Sequence, residues 1–145
     1  MMSLIKTRIF GVRVILVVLA AYWLTIFAGT HLPDPPDIGT SMNDKSKHFL
    51  AYFGLTVLLC ISFVDTDRTS GDQDRARHKR NLLWIIGIVI AYGALDEITQ
   101  SLVPGRTPDF ADFVADVCGM STGLALAFVA DRYFRKSHLS GHDPA

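Results

Sequence analysis

The sequence predicts an all-α integral membrane bundle of four transmembrane helices, with both termini on the cytoplasmic side and a tight external hairpin between helices 3 and 4. Three observations carry this. Half of the 145 residues are hydrophobic, and formal net charge is zero. The charge is confined between four apolar runs, at 14–29, 49–64, 82–95 and 117–130, which is the pattern of a membrane chain. Lys and Arg are also asymmetric. The N-terminus, second connection and tail hold eleven of them, against three (Lys45, Lys47 and Arg106) in the first and third connections. The positive-inside rule then sets both termini inside. A neutral chain has no basic field to recruit nucleic acid.

The first run follows a basic start but meets no small-x-small cleavage site, so it is expected to stay as a signal-anchor. The connection after it, THLPDPPDIGTSMNDKSK, carries three prolines and should be an extended external loop. The second connection, DTDRTSGDQDRARHKR, is expected to be a solvated loop. In the third, PGRTPD, Pro104 and Gly105 suit a tight turn. Thr107 is placed to cap the last span with Pro108 at its first helical position. Asp109 then lies in the first turn, where a carboxylate meets the positive end of the dipole. Residues 1–136 read as one membrane domain and 137–145 as a polar tail. Cys60 and Cys118, both within apolar runs, read as small buried hydrophobes. GMSTG at 119–123 fits the nucleophile-elbow pattern but lies inside an apolar helix, where that pattern has no strand-to-helix turn.

Each run is shorter than the roughly 20 residues a crossing requires, so each span recruits polar residues at an end. With a rise of about 1.5 Å per residue, Asp96 and Asp116 both sit about 21 Å from the cytoplasmic end of their runs, and His48 about 24 Å. All three fall in the outer third of a hydrocarbon layer about 30 Å thick. Tyr92, Asp96 and Gln100 share one helical stripe. Asp109, Asp112 and Asp116 share another, continued by Gly119 and Gly123, and Asp44, His48 and Tyr52 form a third. Acids at that depth should face one another or a polar cavity, and the glycines allow a neighbouring helix to approach closely. Glu97, turned about 100° from Asp96, is expected to pair elsewhere, leaving Asp96 as the pocket residue. Arg106 serves as an ion-pair partner for a nearby acid or as a guanidinium at the pocket mouth. His48 is a hydrogen-bonded structural histidine or a general base. With no HxxxH or HExxH, no metal is assigned.

Two stretches, NDKSKHFLAYFGL and YGALDEITQSLVPGRTPDFADFVADVCG, resemble the VanZ-like membrane proteins. The shared pattern is D-K-x-x-H-F-x-x-Y, then D-E-x-x-Q, a PGR-type turn, and D-x-x-x-N-x-x-G. It runs from residue 43 to about 125 and takes in Asp44, Lys45, His48, Tyr52, Asp96, Glu97, Gln100, Gly105, Arg106, Asp112 and Gly119. The family's Asn is replaced here by Asp116, so two close carboxylates, Asp112 and Asp116, are expected to share a proton. The resemblance implies a bacterial cell-envelope protein, in a family named for lowered sensitivity to teicoplanin. No reaction comes with it.

The function expected is therefore engagement of an amphiphile at the outer leaflet: a membrane-lipid headgroup, a lipid-linked wall precursor or a lipoglycopeptide. Asp44, Lys45, His48, Tyr52, Asp96, Glu97, Gln100, Arg106, Asp112 and Asp116 would form the ligand-binding set. An enzyme acting on a headgroup would draw its catalytic groups from His48, Asp96, Asp112 and Asp116. A proton-coupled transporter or structural partner ranks third, because the cytoplasmic halves of spans three and four carry no charge.

Overall fold

The computed structural model describes residues 7–9, 12–33, 42–63 and 72–140. Four helices follow one another: α1 (Val14–His31), α2 (Asp44–Phe63), α3 (Asp72–Gln100) and α4 (Phe110–Ser140). All four are long and apolar enough to cross a membrane. Large apolar side chains such as Leu24, Leu83, Trp84, Ile98 and Phe128 point outward, as suits a surface solvated by lipid tails.

Three details depart from the sequence expectation. A short antiparallel pair, β1 (Arg8–Ile9) with β2 (Val12–Arg13), precedes α1. Helix α3 begins at Asp72, so residues 72–80 are helix and not loop. The Arg, Lys, Gln and Ala of QDRARHKR are good helix formers and extend the span beyond its apolar part. Helix α4 likewise runs to Ser140, into the segment the sequence assigns to the polar tail. The loop expectations for 34–41 and 64–71 fall outside the described residues.

The helices alternate in direction. The C-termini of α1 and α3 meet the N-termini of α2 and α4 at one end, called here the hairpin end. Helices α1 and α4 both pack on α2 and α3, and α2–α4 is the most extensive pairing. Its cause is the small-residue stripe. A Cβ at Gly119 would run into the Phe49 carbonyl and the Phe53 backbone N, and one at Gly123 would lie 3.0 Å from Thr56 Cβ. The sequence expectation for these glycines holds: without side chains they let two backbones touch.

The apolar core is Leu19, Ile26, Leu55, Leu59, Ile85, Val89 and Met120, joined by Tyr52. Trp23 meets Tyr92 edge-on at 5.1 Å, and Tyr92 stacks on Tyr52 at 5.8 Å. These three rings form an aromatic layer beneath the polar residues of the hairpin end. At the opposite end the polar ties are peripheral: Arg13 donates to the Ser62 carbonyl at 2.9 Å and Asn81 to the Phe63 carbonyl at 3.3 Å. Cys60 is half-buried and Cys118 exposed. The expectation of a buried Cys118 fails because it lies off the α4 stripe that faces α2.

A buried cluster at the hairpin end

The cluster is built on well-formed helix ends. Asn43 caps α2, its Oδ1 accepting the Ser46 N–H at 2.8 Å, which satisfies one of the otherwise unpaired first-turn amides. This fixes the start of the helix carrying Lys45, His48 and Tyr52. Between α3 and α4, Arg106 N–H donates to the Val103 carbonyl at 3.1 Å and Gly105 takes φ +82°. Pro104 and Gly105 thus fill the two central positions of a type II turn. The cap of α4 is Asp109, not Thr107: its Oδ1 accepts the Ala111 N–H at 2.9 Å and its carbonyl the Asp112 N–H at 2.8 Å. The helix starts at Phe110, leaving Pro108 outside it.

At the centre, His48 Nδ1 donates to Asp116 Oδ1 at 3.0 Å, with both side chains almost wholly buried. The ligating atoms of His48, Glu97 and Asp116 lie within 4.8 Å of one another, as do those of Asp44, His48 and Asp112. Lys45 forms the rim, donating to Asp109 Oδ2 at 2.7 Å and more weakly to Asp112 Oδ1 at 3.4 Å. That ammonium, together with the Ala111 N–H, holds the Asp109 carboxyl below the usual carboxylate range. No hydrogen bond joins Asp112 to Asp116: Asp112 turns to Lys45, and Asp116 Oδ2 has no hydrogen-bond partner. The shared-proton expectation for that pair is therefore replaced by two separate partners, Lys45 and His48.

The assignments of Asp96 and Glu97 exchange. Asp96 does align with Gln100, whose amide donates to Asp96 Oδ2 at 2.7 Å. Its other oxygen accepts from Thr30 at 2.8 Å, and His31 Nδ1 lies 3.7 Å away. Asp96 is thus tied to α1, beside the His48 centre and not in it. Glu97, expected elsewhere, joins His48 and Asp116 and also accepts the Asp109 N–H at 3.1 Å. A helical wheel gives the 100° between adjacent residues but not which neighbour each direction meets.

The α1 residues Thr30 and His31 were missed from sequence. His31 Nε2 lies 2.7 Å from Thr99 Oγ1, and its ring stacks on Phe27 at 4.1 Å. The available signal was a Thr-His pair ending an apolar run, at the level of the other polar stripes. Arg106 fulfils the ion-pair expectation with Asp44, at 3.7 Å. It also donates to the α1 carbonyls of Gly29, at 3.1 Å, and Leu32, at 3.4 Å. A cation at a helix C-terminus satisfies orphan carbonyls and opposes the dipole, so Arg106 pins the turn to α1.

Together, His48, Asp96, Gln100, Asp112, Asp116 and Tyr52 are buried, while Asp44, Lys45 and Asp109 stand at the edge. The polar stripes converge as expected, but they fill the space between the helices instead of lining an open pocket. Among the described residues, a shallow depression of about 460 Å³ lies beside them at the start of α2, lined by Met42, Asn43, Lys45, Ser46, Phe49 and Leu50. Lys45 belongs to both, which links depression and cluster through Asp112.

Residues 44–131 match the VanZ/LLP1 family. An uncharacterized protein of Schizosaccharomyces pombe is 27% identical over 122 residues, covering 84% of this chain and 64% of that protein's own length. The chain thus spans about two-thirds of that relative. No solved structure matches.

Proposed function

The chain belongs to the VanZ/LLP1 family, and from that premise we propose that it engages the headgroup region of an anionic amphiphile at its hairpin end. The observation that carries this reading is the depression at the start of α2. Asn43, Lys45 and Ser46 give it a polar side, and Met42, Phe49 and Leu50 an apolar one. A lipid presents the same two chemistries, an anionic head and apolar chains. Lys45 is the cation in reach, and the carboxylates of Asp109 and Asp112 beside it restrict its swing. The eleven-to-three division of Lys and Arg supports an outer-leaflet position for this end. Candidates there are a phospholipid headgroup, a lipid-linked wall precursor or a lipoglycopeptide, which share an anionic head on an apolar anchor.

The test is lipid retention. The full chain would be reconstituted with a mixture of phosphatidylglycerol and phosphatidylcholine, released into detergent, and weighed by native mass spectrometry. Retention of phosphatidylglycerol over phosphatidylcholine is expected, with the preference lost in Lys45→Ala. Equal retention of both lipids by the unaltered chain would refute the reading.

An enzymatic reading is favoured by a different observation, the buried His48–Asp116 pair. A carboxylate on Nδ1 orients an imidazole and leaves Nε2 as the base. On this reading the lipid inventory of membranes lacking the protein changes. An unchanged inventory alongside preserved lipid retention leaves binding alone.

A further inference from the structure

The buried centre holds more acceptors than its protons and cations satisfy. Glu97 Oε1, Asp116 Oδ2 and Tyr52 Oη are all buried without a hydrogen-bond partner. Tyr52 is 0% exposed and Asp116 2%. Each such group normally costs about 1–3 kcal/mol, and more if charged. The nearby bases are committed elsewhere: Lys45 to Asp109 and Asp112, Arg106 to Asp44 and the α1 carbonyls. The unpartnered oxygen of Asp116 packs closely against Gly93, where a Cβ would lie 3.2 Å from Asp116 Oδ2 and 3.4 Å from the Tyr52 ring.

We propose that His48, Glu97 and Asp116 bind a divalent first-row transition-metal ion, Zn²⁺ or Mn²⁺. Their ligating atoms already lie within 4.8 Å of one another. The His48 Nδ1–Asp116 Oδ1 separation of 3.0 Å is near the roughly 3.4 Å between ligands that Zn–N and Zn–O bonds of about 2.1 Å set in a tetrahedron, and the ion displaces the Nδ1 proton, which moves to Nε2 or to solvent. One imidazole with two carboxylates is a mixed nitrogen and oxygen set, which selects a borderline ion over Ca²⁺ or Mg²⁺. The neighbouring group, Asp44–His48–Asp112, shares His48 but is already neutralised by Arg106 and Lys45. The inner group therefore carries the site. Three protein ligands leave a position for water or a ligand oxygen. The donors come from α2, α3 and α4, which is why no HxxxH spacing announces them. The site does not depend on the amphiphile reading, since it is defined by buried donors and not by the depression.

The experiment uses the full chain in detergent, stripped with a chelator and then titrated with Zn²⁺ or Mn²⁺ alone. Metal retained after desalting is measured by mass spectrometry, and thermal unfolding is followed in parallel. Stoichiometric uptake of one of the two ions and a raised unfolding temperature are expected. Glu97→Gln and Asp116→Asn should each weaken uptake at least about tenfold, while Asp109→Asn, outside the triad, should retain it. Wild-type protein that takes up neither ion overturns the proposal, as do triad variants that bind like wild type. Should either variant misfold, X-ray absorption of the loaded wild type decides. A shell of oxygen with one imidazole is expected, and one with sulfur or without imidazole overturns the site.

Discussion

The two ends of this bundle are held together by opposite means. From the middle toward the termini, α1, α2 and α3 meet through Leu19, Leu55, Leu59, Ile85 and Val89, and the described polar ties sit on the periphery. At the hairpin end, five polar or charged side chains (His48, Asp96, Gln100, Asp112 and Asp116) are each buried, none more than 6% exposed. In lipid, apolar contacts between helices gain little over contact with acyl chains, so the apolar half depends on close packing. Buried acids gain nothing that apolar packing could not supply more cheaply. Their concentration at one end is why the proposed function is placed there, with the other end as the frame that holds it.

Four substitutions break or sharpen this contrast. The largest effect is expected from His48→Leu, which leaves Asp116 buried with no hydrogen-bonding base. Removing one member of a buried pair costs about 3–5 kcal/mol, read as lost stability in denaturant titrations of helical signal. If Asp116→Asn is added, much of that loss should be recovered, because the orphaned charge goes with it. Next is the frame. Gly119→Ala drives a methyl into the α2 backbone at Phe49, and overpacking of this kind costs about 1–3 kcal/mol. Gly54→Ala should be milder, since its methyl would meet only the end of the Tyr22 side chain. A reversed order of these two glycines would show that α2–α4 contact is not the tightest seam.

Arg106→Ala comes third, at about 1–2 kcal/mol, and its effect should be local. Faster hydrogen exchange is expected in the last turn of α1 and in the 103–106 turn, with little change in the middle of α2. The smallest effect belongs to Asp109. Its folded pKa is depressed by Lys45, so its contribution is present above the ordinary carboxylate value of about 3.9. It is lost as pH falls through the lower folded value. Wild type should therefore lose more stability than Asp109→Asn between about pH 5 and pH 3. Parallel pH profiles for the two proteins would remove the Lys45–Asp109 pair from the account.

Much of this contrast was legible in the sequence, and the failures have definite physical causes. Four spans, the glycine seam, the Pro-Gly turn and the matched depth of His48, Asp96 and Asp116 follow from helical rise and periodicity alone. What periodicity does not contain is the identity of the neighbouring helix. Periodicity therefore exchanges the surroundings of Asp96 and Glu97, and pairs Asp112 with Asp116 instead of Lys45. The polar contribution of the first span, Thr30 and His31, is not legible because it is two residues at the end of an otherwise apolar run. Helix α3 starts before its apolar stretch because helix propensity, unlike membrane preference, does not fall at charged residues.

The central claim is that the start of α2, and not the lipid-facing surface at large, receives the amphiphile. Photocrosslinking with a phosphatidylglycerol analogue carrying a diazirine in its headgroup tests this most directly, in membranes containing the full chain. The account predicts labelling concentrated on residues 42–50 and displaced by excess unlabelled phosphatidylglycerol. Labelling spread evenly over exposed apolar positions at all helix ends, undiminished by competitor, would contradict it.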